Sequence, residues 1–256
     1  MTLPPLLALL AACSGRDPAA AEDRDESDPI DVTEGPLLLR GAEVVGQGVV
    51  DVAVRDGAIE AVGEGLSGGE VVDLTGRWLV PAFIDSHVHL AYYPVGDALL
   101  DGGVAGAVDL AAPERWLAED LGPLRLRRSG PMVTAEGGYP TQGWGRDGYG
   151  LPCADAEAAA AAVDHLAEAG VQVLKLPVTG PPVLDEAALR AAVERAHARG
   201  LPVASHALGD DEARLAGAVG ADLLAHTPTA GLSSETLALW ADRAVITTLG
   251  AFGGSG

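Results

Sequence analysis

From Ala82 onward, short apolar runs alternate with Ala-rich amphipathic stretches, and this rhythm restricts the fold more than any other feature of the chain. The runs are Ala82–Asp85, Val104–Leu110, Met132–Ala135, Val171–Leu176, Pro202–Ser205, Asp222–Ala225 and Val245–Leu249. Between them, Asp155–Ala169 and Asp185–Arg199 carry apolar residues at helical spacing. Asp155 and Asp185 stand where N-caps belong, and Gly170 and Gly200 stand where left-handed C-terminal stops belong. Strands alternating with helices predict a parallel β/α architecture, and seven such strands make most of an eight-stranded TIM-type barrel. A doubly wound sheet is the alternative; the absence of a Gly-x-Gly-x-x-Gly after the first strand weighs against its dinucleotide-binding form.

Ahead of this region, residues 36–80 have another texture. Val49–Val54 alternates, Arg55-Asp56-Gly57 follows, and Ala58–Val62 resumes an apolar run. Asp-Gly between two such runs predicts a β-hairpin, and Val71–Leu74 and Trp78–Val80 add short strands, so this block reads as part of a small β-sandwich domain. Residues 14–35 are rich in Asp, Glu, Ala and Pro, a composition that predicts a disordered tether. Residues 1–13 pair an apolar run with Leu10-Ala11-Ala12-Cys13. That run is far too short to span a bilayer, and the ending resembles the lipobox of bacterial lipoproteins. This resemblance implies lipidation of Cys13, a membrane anchor and an exported, periplasmic or cell-envelope location. A plain Ala/Leu-rich tail or a misplaced start codon remains the alternative, since no Lys or Arg precedes the apolar run. With Cys13 acylated, Cys153 has no intrachain partner.

The formal net charge of −21 speaks against a sequence-independent grip on nucleic acid. Positive charge comes almost wholly from arginine, and Lys175 is the one lysine in the chain.

His87 and His89 stand two apart at the end of an apolar strand, a spacing that points both imidazoles to one side and lets them reach one ion. On a helix the same spacing would splay them apart. Their setting is Val80-Pro81-Ala82-Phe83-Ile84-Asp85-Ser86-His87-Val88-His89, and this wording resembles the first barrel strand of the amidohydrolase superfamily, usually Pro-Gly-Phe-Ile-Asp-x-His-x-His. Ala82 replaces the usual glycine.

The resemblance implies further ligands at later strand ends, and they occur in order: Lys175 after Val171–Leu174, His206 after Val203–Ser205, and His226 after Leu223–Ala225. It implies one or two divalent metal ions, zinc being the expected one, with Lys175 N-carboxylated in a two-metal centre. Arginine could not take that role, because its guanidinium stays protonated. The plain alternative for Lys175 is a surface lysine at a strand end. His165 and His197 fall inside helices and read as surface or structural residues. Asp109, at the end of the second strand, reads as an orienting carboxylate or a loop cap. Gly137–Gly145, rich in Gly and aromatics, reads as a pocket-lining loop or an ordinary one.

The family's eighth strand ends in an aspartate that ligates metal and moves protons. This sequence stops at Gly256, after strand seven, without one. No catalytic acid/base is therefore assigned, and the expectation is a fragment or truncated copy that folds poorly and turns over slowly or not at all. The implied activity is metal-dependent hydrolysis of an amide or cyclic-amide C–N bond in a small molecule or dipeptide. The alternatives are an inactive, lipid-anchored remnant that binds metal or a partner, and a solute-binding lipoprotein. Oligomeric state is left open.

Overall fold

The computed structural model describes residues 10–14 and 35–248. The expected signal segment and tether lie outside the described residues, apart from Leu10–Ser14 and Gly35. The chain divides into two compact units, with the division between Phe83 and Ile84.

The first unit is a six-stranded sheet built from β1 (Leu10–Ser14), β2 (Leu37–Val44), β3 (Gly48–Arg55), β4 (Ala58–Gly63), β5 (Glu70–Asp73) and β6 (Arg77–Pro81). Its order is β1-β6-β2-β3-β4, with β5 also on β2. The β3–β4 hairpin turns through Asp56 and Gly57, both at positive φ (49° and 71°), the backbone that an Asp-Gly pair tolerates best. Between Leu39 and Ala42 the β2–β3 register slips. There the Gly41 N–H donates to Asp51 Oδ1 (2.9 Å) while Leu66 N–H donates to Oδ2 (3.1 Å). A buried carboxylate in mid-strand thus serves two backbone donors that the ladder leaves unpaired. Leu39, Ala42, Val52, Leu74 and Leu79 form the core beside it.

The second unit alternates strands and helices. It runs β7 (Phe83–Val88), α1 (Gly96–Asp101), β8 (Val104–Asp109), a 3₁₀ turn at Glu114–Ala118, β9 (Arg125–Arg128), β10 (Met132–Ala135), β11 (Gly150–Cys153) and α2 (Ala156–Glu168). It continues with β12 (Leu174–Pro177), α3 (Glu186–Ala198), β13 (Val203–His206), α4 (Asp210–Val219), β14 (Leu223–Leu224), α5 (Ser234–Trp240) and β15 (Ala244–Val245). Each of the seven expected strands has a counterpart here. The last two are shorter than expected, and Leu249 lies outside the described residues.

This is an α/β fold. Among the described residues, however, the strands of this unit fall into three hydrogen-bonded sheets, β7-β8-β9, β10-β11 and β12-β13-β14-β15, and a closed barrel ring is not formed. One break has a local cause: Pro131 has no N–H to donate and Gly130 sits at φ 63°, so β9 ends before β10, the expected third strand, begins. The Gln172 N–H bonds to Arg128 O (2.9 Å) and carries the chain across from β9 towards β12.

The helices start and stop where the sequence predicts. Asp155 Oδ1 accepts from Ala158 N–H (2.9 Å) and Asp185 Oδ1 from Ala188 N–H (2.8 Å), while Gly170 and Gly200 take φ of 89° and 74°. Ala159, Ala162, Val163 and Leu166 of α2, and Ala188, Leu189, Ala192, Val193 and Ala196 of α3, are the buried faces. Leu174, Leu176 and Val203 share their core, so the alternate residues Val173, Lys175, Ala204 and His206 face the other way.

Replacing either cap, Asp155→Ala or Asp185→Ala, is expected to lower unfolding free energy by about 1 kcal/mol. Urea denaturation of the two variants checks this; midpoints equal to wild type would show that tertiary packing alone holds these helix ends.

Candidate metal centre

His87 is on β7 and His89 just beyond it; Lys175 is on β12, His206 closes β13, and His226 lies two residues past β14. The parallel register sets Lys175 opposite Ala204 and Pro177 opposite His206. One carboxylate ties these strand ends together. Glu212, in the first turn of α4, accepts from Thr179 Oγ1 (2.8 Å) and from the Leu208 and Gly209 N–H groups (2.7 and 3.0 Å).

The four imidazoles are contiguous. Ring centroids are 5.0 Å apart for His87 and His89, 4.5 Å for His87 and His226, and 4.4 Å for His206 and His226. Their protons can be placed from their partners. His87 Nδ1 lies 2.8 Å from Ala225 O and His89 Nδ1 lies 3.3 Å from Ala111 O. A carbonyl only accepts, so in each ring Nδ1 carries the hydrogen and Nε2 holds a bare lone pair. Those two Nε2 atoms face each other at 3.2 Å. Two acceptors at that distance repel unless a cation lies between them, and two nitrogens bound to one tetrahedral zinc stand about 3.3 Å apart. A backbone carbonyl orienting the far ring nitrogen is the usual outer arrangement of a metal-binding histidine.

His206 and His226 differ. Their Nδ1 and Nε2 atoms are 2.7 Å apart, a distance at which one ring donates to the other, and His226 Nδ1 also meets Thr248 Oγ1 at 3.3 Å. Among the described residues, no three His, Cys, Asp or Glu side chains stand in a finished coordination arrangement. One pair has the spacing for an ion, and the other is closed by its own hydrogen bond.

Lys175 is fully buried and its Nζ has no hydrogen-bond partner. Desolvation pushes its pKa down to about 7, so the neutral amine, the form that can add carbon dioxide, is populated near neutral pH. Burial first, then the charge of Lys175, lowers His89 to about 4 and His226 to about 3, and drives His87 and His206 lower still. All four rings are therefore neutral at pH 7, as metal ligation requires. An orphaned buried nitrogen amid neutral imidazoles is a donor set that fits one or two divalent ions.

Other residues complete the surroundings. Asp109 is fully buried, and neither of its oxygens holds a hydrogen bond of normal geometry. Burial raises its carboxyl to about 7 despite the nearby Ala111 and Leu90 amides and the Arg128 charge. Trp144 packs on His89 (5.0 Å, 52°), Tyr139 stacks on His206 (4.7 Å, 27°), and Tyr92 and Tyr149 pack on Trp144. Sequence reasoning marked the 137–145 loop but missed Tyr92, Tyr149 and the Ala111 and Ala225 carbonyls. Tyr92 lies three residues after His89, a weak signal, and a carbonyl leaves none. His165 and His197 lie on α2 and α3, paired with Glu114 and Asp222 at 2.9 Å each. Cys153 is buried and free.

No family model matches the chain. It is 34% identical over 122 residues to imidazolonepropionase from Chromobacterium violaceum, a match covering 40% of this chain and 29% of that enzyme. It is 37% identical over 124 residues to adenine deaminase from Deinococcus deserti, covering 40% of this chain and 21% of that enzyme. A solved amidohydrolase superposes with a TM-score of 0.70 at 21% identity, covering 84% of this chain and 66% of the other. These likenesses support the amidohydrolase superfamily. The matches span less than a third of the length of these curated relatives.

With metal removed by chelator, Lys175→Met is expected to raise stability by about 1–3 kcal/mol, because it replaces an unpaired buried polar group with an apolar one of similar shape. A urea midpoint in EDTA that falls would show that Nζ has a partner in solution.

Proposed function

We propose that this chain is the metal-binding part of a hydrolase that cleaves an amide or cyclic-amide C–N bond in a small molecule or dipeptide. The observation that carries the reading is the pair of unprotonated Nε2 atoms of His87 and His89, 3.2 Å apart, beside a fully buried lysine without a partner. His87 and His89 would hold one ion, His206 and His226 a second, and Lys175, as its carbamate, would join them. A divalent ion held there, zinc being the expected one, would supply a nucleophile from water at neutral pH and polarise a substrate carbonyl.

The chain's own residues prepare that chemistry. Ala225 O and Ala111 O hold the first two rings in one tautomer and one orientation. Glu212 keeps the loops after β12 and β13 together, so that Lys175 and His206 keep their spacing. Burial keeps the four imidazoles neutral and brings the Lys175 amine to about 7, and the Trp144 and Tyr139 rings pack on His89 and His206. The partial matches to enzymes named imidazolonepropionase and adenine deaminase support a small-molecule substrate.

Elemental analysis of the purified chain after zinc loading is expected to show one to two ions per chain, and Lys175→Ala to show one or none. Unchanged two-metal stoichiometry in Lys175→Ala would remove the bridging role. A panel of cyclic amides and dipeptides then separates an enzyme from a protein that only binds metal.

The location proposed is the cell envelope, with lipid on Cys13. Among the described residues no helix is long and apolar enough to cross a membrane, so the anchor would be the lipid. Intact-mass analysis of the protein from a bacterial membrane fraction is expected to show a mature N-terminus at Cys13 with acyl groups; an unmodified Met1 would refute it.

A further inference from the structure

Resting on the hydrolase reading above, we propose that the Tyr139 hydroxyl is the hydrogen-bond donor that receives the carbonyl oxygen of the substrate amide and the oxyanion it becomes. Trp144 Nε1–H lies 2.9 Å from Tyr139 Oη. An indole nitrogen has only a proton to give, so the phenol oxygen is the acceptor and its own O–H is directed elsewhere. Among the described residues Trp144 is the one hydrogen-bond partner of that hydroxyl. The proton of Tyr139 is thus both fixed in direction and unused.

Its position is set by the same two rings. Tyr139 stacks on His206 at 4.7 Å, and Trp144 packs on His89 at 5.0 Å, so the Tyr–Trp pair reaches over both histidine pairs. A carbonyl held beside the four imidazoles would lie within reach of this pair. The loop that carries them is braced. Thr134 Oγ1 donates to Tyr139 O (2.8 Å), and a Cβ on Gly145 would stand 2.5 Å from Pro140 Cγ, so the backbone closes there around glycine. A phenol keeps its proton at neutral pH, so the hydroxyl is able to donate. A braced donor that needs no reorganisation as charge develops on oxygen is the arrangement that stabilises an oxyanion. The role demanded of Tyr139 is a hydrogen bond alone, with no proton leaving it.

The test uses the full chain loaded with zinc and a methylphosphonamidate of glycine, whose tetrahedral anionic phosphoryl group mimics the intermediate. Tyr139→Phe keeps the ring that stacks on His206 and removes only the hydroxyl. Zinc content is expected to be unchanged and probe affinity by calorimetry to fall about 10- to 100-fold, the effect of losing one hydrogen bond to a charged oxygen. Trp144→Phe keeps the hydroxyl but frees its direction, and is expected to weaken the probe by a smaller factor. Equal probe affinity in Tyr139→Phe and wild type overturns the assignment, as does a zinc-loaded wild type that does not bind the probe. A wild-type chain that takes up no zinc overturns instead the metal-hydrolase reading on which the assignment rests.

Discussion

Five basic side chains, Lys175 and the four histidines at 87, 89, 206 and 226, share an interior poor in water, and burial sets their protonation ahead of any pairwise contact. Were they charged together in that space, their mutual repulsion would add to the loss of hydration. The neutral forms avoid both costs but leave lone pairs without protons to face. Two of the rings turn one nitrogen to a backbone carbonyl and so must present the other bare. The character of the site follows from this single constraint: His87 and His89 turn bare nitrogens to each other, an arrangement that a cation between them would relieve.

Small side chains make that enclosure possible. Alanine fills much of the buried faces of α2 and α3, so the helices approach the strands closely, and large residues such as Leu174, Leu176 and Val203 fill the space between. The strands then run parallel and in register, which brings their C-terminal ends to one side. Loops alone would not keep those ends at fixed spacing. The Glu212 carboxylate does so for two of them, because it accepts from both loops at once. The aromatic side chains of the 137–149 segment lie across the histidines and complete the wall.

Much of this architecture was legible in the sequence, for local reasons. Asp155 and Asp185 cap helices because an Asp side chain reaches the N–H three residues on, and Asp56-Gly57 closes a hairpin because both residues accept positive φ. Lys175, His206 and His226 could be placed at strand ends because a buried parallel strand reads as an apolar run with a sharp boundary. β9 and β11 were not legible. Arg-Leu-Arg-Arg and Gly-Leu-Pro-Cys have neither the apolarity nor the alternation of a strand, and become strands because β8 and β10 offer them unpaired edges. The split of the parallel strands into separate sheets was equally hidden, since Gly130-Pro131 reads as an ordinary turn until its neighbours are known.

The sequence by itself determined which residues are the candidates for the chemistry: two histidines on one side of a strand, a lone lysine, and two further histidines, each closing an apolar run. Residue type and spacing suffice for that, because side-chain period and strand boundaries are local properties. Only the tertiary structure decided what state these groups hold. That His87 and His89 present bare nitrogens to each other depends on carbonyls 138 and 22 residues away in sequence. That Lys175 is uncharged enough to react depends on a core assembled from four strands and their helices. Protonation and orientation are set by solvent exclusion and by distant backbone acceptors, and neither exists until the chain has folded.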